Sequence, residues 1–121
     1  MKKFGWIVFI AVLLLAGCGT DEGYVTVDIS GVQQLQDDGA VVLDVREVEE
    51  FAKGHIIGAI NAPLSELETG ERAVLDKEQS YIVICRSGSR SKEASEILIN
   101  DGYDLVNVSE GMSSWTGEVE Y

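Results

Sequence analysis

The feature that most constrains this 121-residue chain is one short unit in its second half. Residues 81–85 (Tyr-Ile-Val-Ile-Cys) are an unbroken apolar run, the pattern of a strand covered on both faces. A loop of small residues follows at once. Residues 91–100 then set Ala94, Ile97 and Leu98 on one side of a helix that Gly102 ends. Strand-like and helix-like segments alternate along the rest of the chain. Residues 24–28 alternate in β-branched style, and Ser30 with Gln33 reads as a capping box opening a short helix that closes near Asp38-Gly39. Residues 40–45 form an apolar strand carrying Asp44, and Val48 with Phe51 marks a short helix. A loop over 54–60 leads into another strand. Leu64, Leu67, Val74 and Leu75 mark one or two short helices, and residues 105–108 form a last strand before a helical turn around Trp115. Such alternation predicts a single α/β domain, with a mostly parallel central sheet and helices on both faces. Ligands bind beyond the carboxyl ends of the strands in such sheets, and Cys85 sits at one of those ends.

Nine Lys and Arg face 21 Asp and Glu, a formal charge of -12. That balance excludes nucleic acid as a partner, because a phosphate backbone is bound by neutralising it with cations. It also excludes a polybasic attachment to anionic lipid. Two Cys allow neither a disulfide framework nor a four-cysteine zinc site. No His, Cys, Asp or Glu cluster has metal-ligand spacing, and neither a metal nor another cofactor is expected.

The first 17 residues read as a targeting segment. Met1-Lys2-Lys3 is a positive start, and Trp6 to Ala16 is a run of eleven apolar residues. A spanning helix needs roughly 20 residues, whereas a run of this length suits a signal-peptide core. Leu15-Ala16-Gly17-Cys18 resembles the lipobox of bacterial lipoproteins, in which the Cys is acylated and becomes the mature N-terminus. The resemblance implies an extracytoplasmic protein tethered to a bacterial membrane by lipid on Cys18, with residues 18–23 as a polar tether and 24–121 as the domain. Removing Lys2 and Lys3 leaves seven cations against 21 anions, or -14. With Cys18 acylated, Cys85 is the one remaining thiol.

The loop Cys85-Arg86-Ser87-Gly88-Ser89-Arg90-Ser91 carries the candidate chemistry. A thiolate at Cys85 would meet backbone N–H groups of a tight loop and the positive end of the following helix. Arg86 and Arg90 add full charges, so the thiol pKa should fall. Gly88 suits a backbone angle other residues resist. Ser87 and Ser89 permit close approach and can donate hydroxyl hydrogen bonds. Arg86, Arg90 and Lys92 are three of the seven mature cations, a patch suited to a small anion.

At this point the chain resembles the single-domain rhodanese family of sulfurtransferases. Asp44-Val45-Arg46-Glu47, Glu50-Phe51 and the stretch from Gly54-His55 to Pro63-Leu64 match that family's N-terminal signature. The 85–90 loop, Gly102-Tyr103 and Gly111-Met112 with Trp115 match its second half in order. One departure is Glu110, where the family commonly carries a second glycine, and this bears on the shape of that turn. The resemblance implies that the Cys85 thiolate takes sulfur from an anionic donor such as thiosulfate as a persulfide. It then passes that sulfur to a thiol or cyanide. Arg86, Ser87, Gly88, Ser89 and Arg90 would bind the donor, and the protein would act as a monomer.

Related phosphatases and arsenate reductases place five residues between Cys and Arg, making a wider cradle. Here there are four, which resembles the sulfur-transfer version. A rhodanese-fold sulfur carrier or binding module with a dedicated partner is the principal alternative, and an oxyanion reductase or phosphatase a lesser one. His55, the only His, is read as structural. Asp44 and Arg46 are read as holding loops at the sheet's carboxyl edge through charge-assisted hydrogen bonds. Met112 and Trp115 are read as packing, and Glu47, Glu49 and Glu50 as a solvated helix face.

Overall fold

Both faces of β6 (Ser80–Ile84) are apolar, and this places it inside the sheet. Tyr81 and Val83 join one core cluster, Ile82 and Ile84 the other, and all four are buried. The structure, a computed structural model, describes residues 20, 21 and 23–121. The leader expected over 1–17 and the expected acylation of Cys18 fall outside the described residues.

Two parallel strands flank β6. On one side runs β3 (Val41–Asp44), with Asp44 opposite Ile84; on the other runs β7 (Asp104–Val108), with Asn107 opposite Val83. Beyond β3 lies β5 (Ile60–Asn61), and beyond β7 lies β2 (Tyr24–Val27), both parallel to their neighbours. Within the stretch read as a tether, Thr20–Asp21 forms β1, antiparallel to β2 and turned back through Gly23. The six-stranded order is β1-β2-β7-β6-β3-β5. A separate antiparallel pair, β4 (His55–Ile56) with β8 (Val119–Glu120), lies outside the sequence expectations. Two residues per strand leave no alternation to read.

Helices cover both faces, as the alternating pattern requires. On one face α3 (Leu64–Glu68) and α4 (Ser89–Asn100) bury Leu64, Leu67, Ala94 and Leu98 against Leu43, Val83 and Leu105. On the other, α1 (Val32–Asp37) places Val32 and Leu35 against Val42, Ile82 and Val108, with Met112 and Trp115 packed alongside. A 12-residue helix is marginal by itself, so tertiary packing holds α4 in place. Fully buried Leu98 alone contributes about 1.5–3 kcal/mol relative to exposure. Ser91 and Ser95 are also fully buried on α4, which lets its backbone approach the sheet closely.

Two local expectations differ from the structure. The cap before α1 is not a Ser30–Gln33 box. Asp28 accepts the Ser30 N–H at 3.0 Å and opens a 3-10 turn over Ile29–Gly31 that leads into α1. Val74 and Leu75 lie in turns rather than a second helix, because Gly70 (φ 97°) turns the chain after α3. The remaining α-helix among the described residues, α2 (Val48–Ala52), follows the carboxyl end of β3 and reaches Arg90, at the start of α4, through one side chain.

Candidate active site

Cys85 follows directly on β6, and the next residues wrap around its sulfur. The Gly88 N–H donates to Cys85 Sγ at 3.1 Å. Gly88 has φ 106°, a left-handed angle, and a Cβ there would lie 2.3 Å from the Ser109 carbonyl oxygen. Glycine is therefore required twice over, by angle and by space. The segment after β7 presses on the other side. Met112 N–H donates to the Cys85 carbonyl at 2.8 Å, and the Ser113 N–H and hydroxyl both donate to the Arg86 carbonyl at 3.0 Å. A Cβ on Gly111 would sit 2.3 Å from Arg86 backbone atoms, so that contact exists because Gly111 has no side chain.

Cys85 is 1% exposed. Burial pushes its thiol pKa up. The Ser91 hydroxyl and the N–H groups of Ser91, Gly88 and Ser87 act against this, and together they hold the thiol below its ordinary value. Burial leaves this sulfur open to no more than the tip of a small molecule, and the surrounding donors favour its anionic form. Ser91 therefore belongs to the site. The sequence signal was available: a small hydroxyl residue in the first turn of the helix that follows the cysteine.

The cations divide into two kinds. Arg86 is exposed, and its side chain makes no ion pair among the described residues. Ser87 and Ser89 are exposed beside it. Arg90 is instead held in a two-pronged pair with Glu50, Nη1 to Oε1 at 2.7 Å and Nη2 to Oε2 at 3.0 Å. That pairing draws the Glu50 carboxyl down to about 2, and it raises the Arg90 pKa, with the Cys85 thiolate adding to the same shift. Glu50 also accepts the Glu47 N–H at 3.0 Å in a capping box that starts α2. The acidic face read as solvated is thus part of the site at Glu50, and only Glu49 and the outer edge of Glu47 match that expectation.

Asp44 and Arg46 brace the rim. Asp44 is fully buried and Arg46 8% exposed. Arg46 Nε lies 3.0 and 3.1 Å from the two Asp44 oxygens, and Nη2 bridges Asp44 Oδ2 and the Gly54 carbonyl at 2.8 Å each. Asn61 donates to the carbonyls of both residues at 2.9 Å. These bonds tie β3, β5 and the 54–60 loop together; neither side chain bonds to Cys85. His55 stacks on Phe51 (centroids 3.7 Å) and shares its Nδ1 with the Phe51 carbonyl at 2.9 Å. Glu110 accepts the Ile29 N–H at 2.8 Å and the Ser109 hydroxyl at 2.7 Å, so this carboxylate ties the 3-10 turn to the loop against Gly88.

A cavity of about 390 Å3 lies at the opposite, amino end of the sheet beside Asp38, Glu78 and Asp104. Another of about 450 Å3 runs between Gln36, Ile57 and Trp115. Neither is lined by a residue of the 85–91 loop. Among the described residues no three His, Cys, Asp or Glu side chains form a metal-binding group.

Comparison with known proteins agrees with this geometry. The model of the rhodanese-like domain matches residues 29–118. "Putative sulfur carrier protein YrkF" of Bacillus subtilis is 40% identical over 85 residues, which cover 69% of this chain and 45% of the relative. The chain thus spans less than half of that protein's length. "Putative sulfurtransferase YtwF" of the same organism is 38% identical over 84 residues, covering 69% of this chain and 81% of the relative. The crystal structure of a rhodanese-related protein from Thermoplasma volcanium superposes with a TM-score of 0.73 at 34% identity, over 80% of this chain and 98% of that one. By sequence, fold and the loop around its cysteine, the chain belongs to the rhodanese-like domain family.

Proposed function

We propose that this domain is a sulfurtransferase working through a persulfide on Cys85. The observation that carries the reading is the Cys85 sulfur itself, buried, held toward the thiolate and met by the Gly88 N–H at 3.1 Å. The thiolate attacks the outer sulfur of a small anionic donor such as thiosulfate. The donor's S–S bond breaks, sulfite leaves with the electron pair, and Cys85 carries a terminal sulfur anion. The loop amides that stabilised the thiolate stabilise that anion, at no cost of reorganisation. Cyanide or a thiolate then attacks the outer sulfur, and Cys85 leaves as the thiolate it began as. Arg86, with Ser87 and Ser89 beside it, faces the incoming anion. The donors that lower the Cys85 pKa favour the thiolate form that attacks.

A second reading has one observation in its favour: a relative of greater length is named as a sulfur carrier. In that case Cys85 holds the persulfide but surrenders it only to a dedicated partner. The proposal also keeps the lipid anchor on Cys18 and an extracytoplasmic site at a bacterial membrane, supported by the 1–18 pattern.

The test uses the chain from Gly19 onward, with and without Cys85→Ser. Incubation with thiosulfate should add one sulfur atom to the intact protein and none to the variant, and cyanide should then release thiocyanate catalytically. Loading without turnover favours the carrier reading. No loading at all overturns both.

A further inference from the structure

Glu50 and Arg90 lie 40 residues apart in sequence, and both of the pair's bonds, 2.7 and 3.0 Å, meet at the mouth of the cysteine loop. Each side chain is 32% exposed, so the pair stands at the surface where a donor arrives. Its consequence is a matter of charge. A guanidinium paired end-on with a carboxylate through Nη1 and Nη2 offers an incoming anion no net charge, although its Nε–H and outer N–H groups stay open. Glu47 adds further negative field at Arg90. Among the described residues, Arg86 is then the cation of the 85–90 loop without an ion pair.

Resting on the persulfide reading above, we propose that Glu50 is a positioning residue that sets donor specificity. By holding Arg90 as a neutral pair beside Cys85, it fits the site to sulfane-sulfur donors of one negative charge, of the organic thiosulfonate type. Doubly charged thiosulfate is the donor it disfavours. The step balances for such a donor. The Cys85 thiolate attacks the terminal sulfur of an R–SO2–S anion, and the S–S bond breaks. Its electron pair leaves with the sulfinate, so two single negative charges enter and two leave, with no oxidant or proton required. Thiosulfate brings one charge more to a loop in which, among the described residues, Arg86 but not Arg90 is free of a carboxylate partner.

The experiment compares thiosulfate with methanethiosulfonate, which replaces one oxygen by a methyl group and removes one charge. Cyanide serves as the common acceptor and thiocyanate as the readout. Glu50→Gln keeps an oxygen for the Glu47 N–H while removing the charge, and Glu49→Gln removes a nearby exposed charge as control. In Glu50→Gln the ratio of kcat/KM for thiosulfate to that for methanethiosulfonate should rise roughly three- to tenfold, the range of a partly exposed charge. The change should sit in the thiosulfate KM and shrink with added salt. Because the readout is a ratio on one sample, partial loss of folded protein cancels. An unchanged ratio, or an equal rise in Glu49→Gln, overturns the inference and leaves the persulfide reading standing. Failure of the unaltered protein to make thiocyanate from either donor overturns both.

Discussion

Replacing Gly111 by Ala tests whether the segment after β7 shapes the cysteine loop. Gly111 has φ -157° and ψ -162°, extended backbone that alanine adopts freely, so no angular strain is expected. The obstacle is space: the new methyl would lie 2.3 Å from the Arg86 carbonyl carbon and oxygen and 2.5 Å from the Cys85 carbonyl oxygen. These are backbone atoms and cannot rotate away. The 111–113 segment must lift, which weakens the 2.8 Å bond from Met112 N–H and the 3.0 Å bond from Ser113 N–H. Forced overpacking costs about 1–3 kcal/mol, and each weakened hydrogen bond about 1 kcal/mol more. The total is about 3–5 kcal/mol, or a fall in Tm of at least about 12 °C for a domain of this size. Persulfide loading should drop as well, because the lifted segment no longer holds the backbone that carries Cys85. Gly31→Ala is the control. Its φ is -88°, its Cβ would meet nothing within 4 Å, and it should be neutral or stabilising by up to about 1 kcal/mol. Thermal unfolding by circular dichroism and intact-mass loading are the assays. A Gly111→Ala protein that melts within about 3 °C of the parent and loads at its rate would refute the argument.

Three further outcomes follow from the site. Ser91→Ala removes the largest influence holding the Cys85 thiol down, so the pH midpoint of its alkylation by iodoacetamide should move up; an unmoved midpoint would assign that influence to the backbone amides alone. Asp44→Asn breaks a buried pair and leaves Arg46 uncompensated, costing about 3–5 kcal/mol in urea unfolding. Glu50 titrates near 2 when folded against 4.5 ordinarily, so its contribution to stability is complete above about pH 4.5 and lost as pH falls through about 2. The stability gap between the parent and Glu50→Gln should therefore close across that window, and a gap independent of pH would count against the ion pair.

Much of the site was legible because its parts are local. The apolar run into Cys85, the small-residue loop and the helix beginning in its last residues are neighbours in sequence. Short-range sterics and the helix terminus determine how they meet. Asp44 and Arg46, two residues apart, could likewise be read as a rim brace. Glu50 was misread because helical spacing reports which face is apolar and says nothing of a cation 40 residues away. The pair β4–β8 escaped for a related reason, since its partners stand more than 60 residues apart and each strand is two residues long. Glu110 looked like a departure from a glycine turn. Its carboxylate turns out to take the Ile29 N–H from across the molecule.

Periodicity and loop chemistry alone thus determined an α/β domain with a mostly parallel sheet, and a cysteine at a strand end. These depend on interactions between residues a few positions apart, and the chain carries them wherever it goes. Tertiary structure decided which charges remain free. Arg86 and Arg90 are equivalent on paper, but β3 delivers α2 and its Glu50 to one of them and leaves the other to solvent. Pairing through space falls off within a few ångströms, so the charge the loop presents to a substrate was settled only when the strands were set side by side.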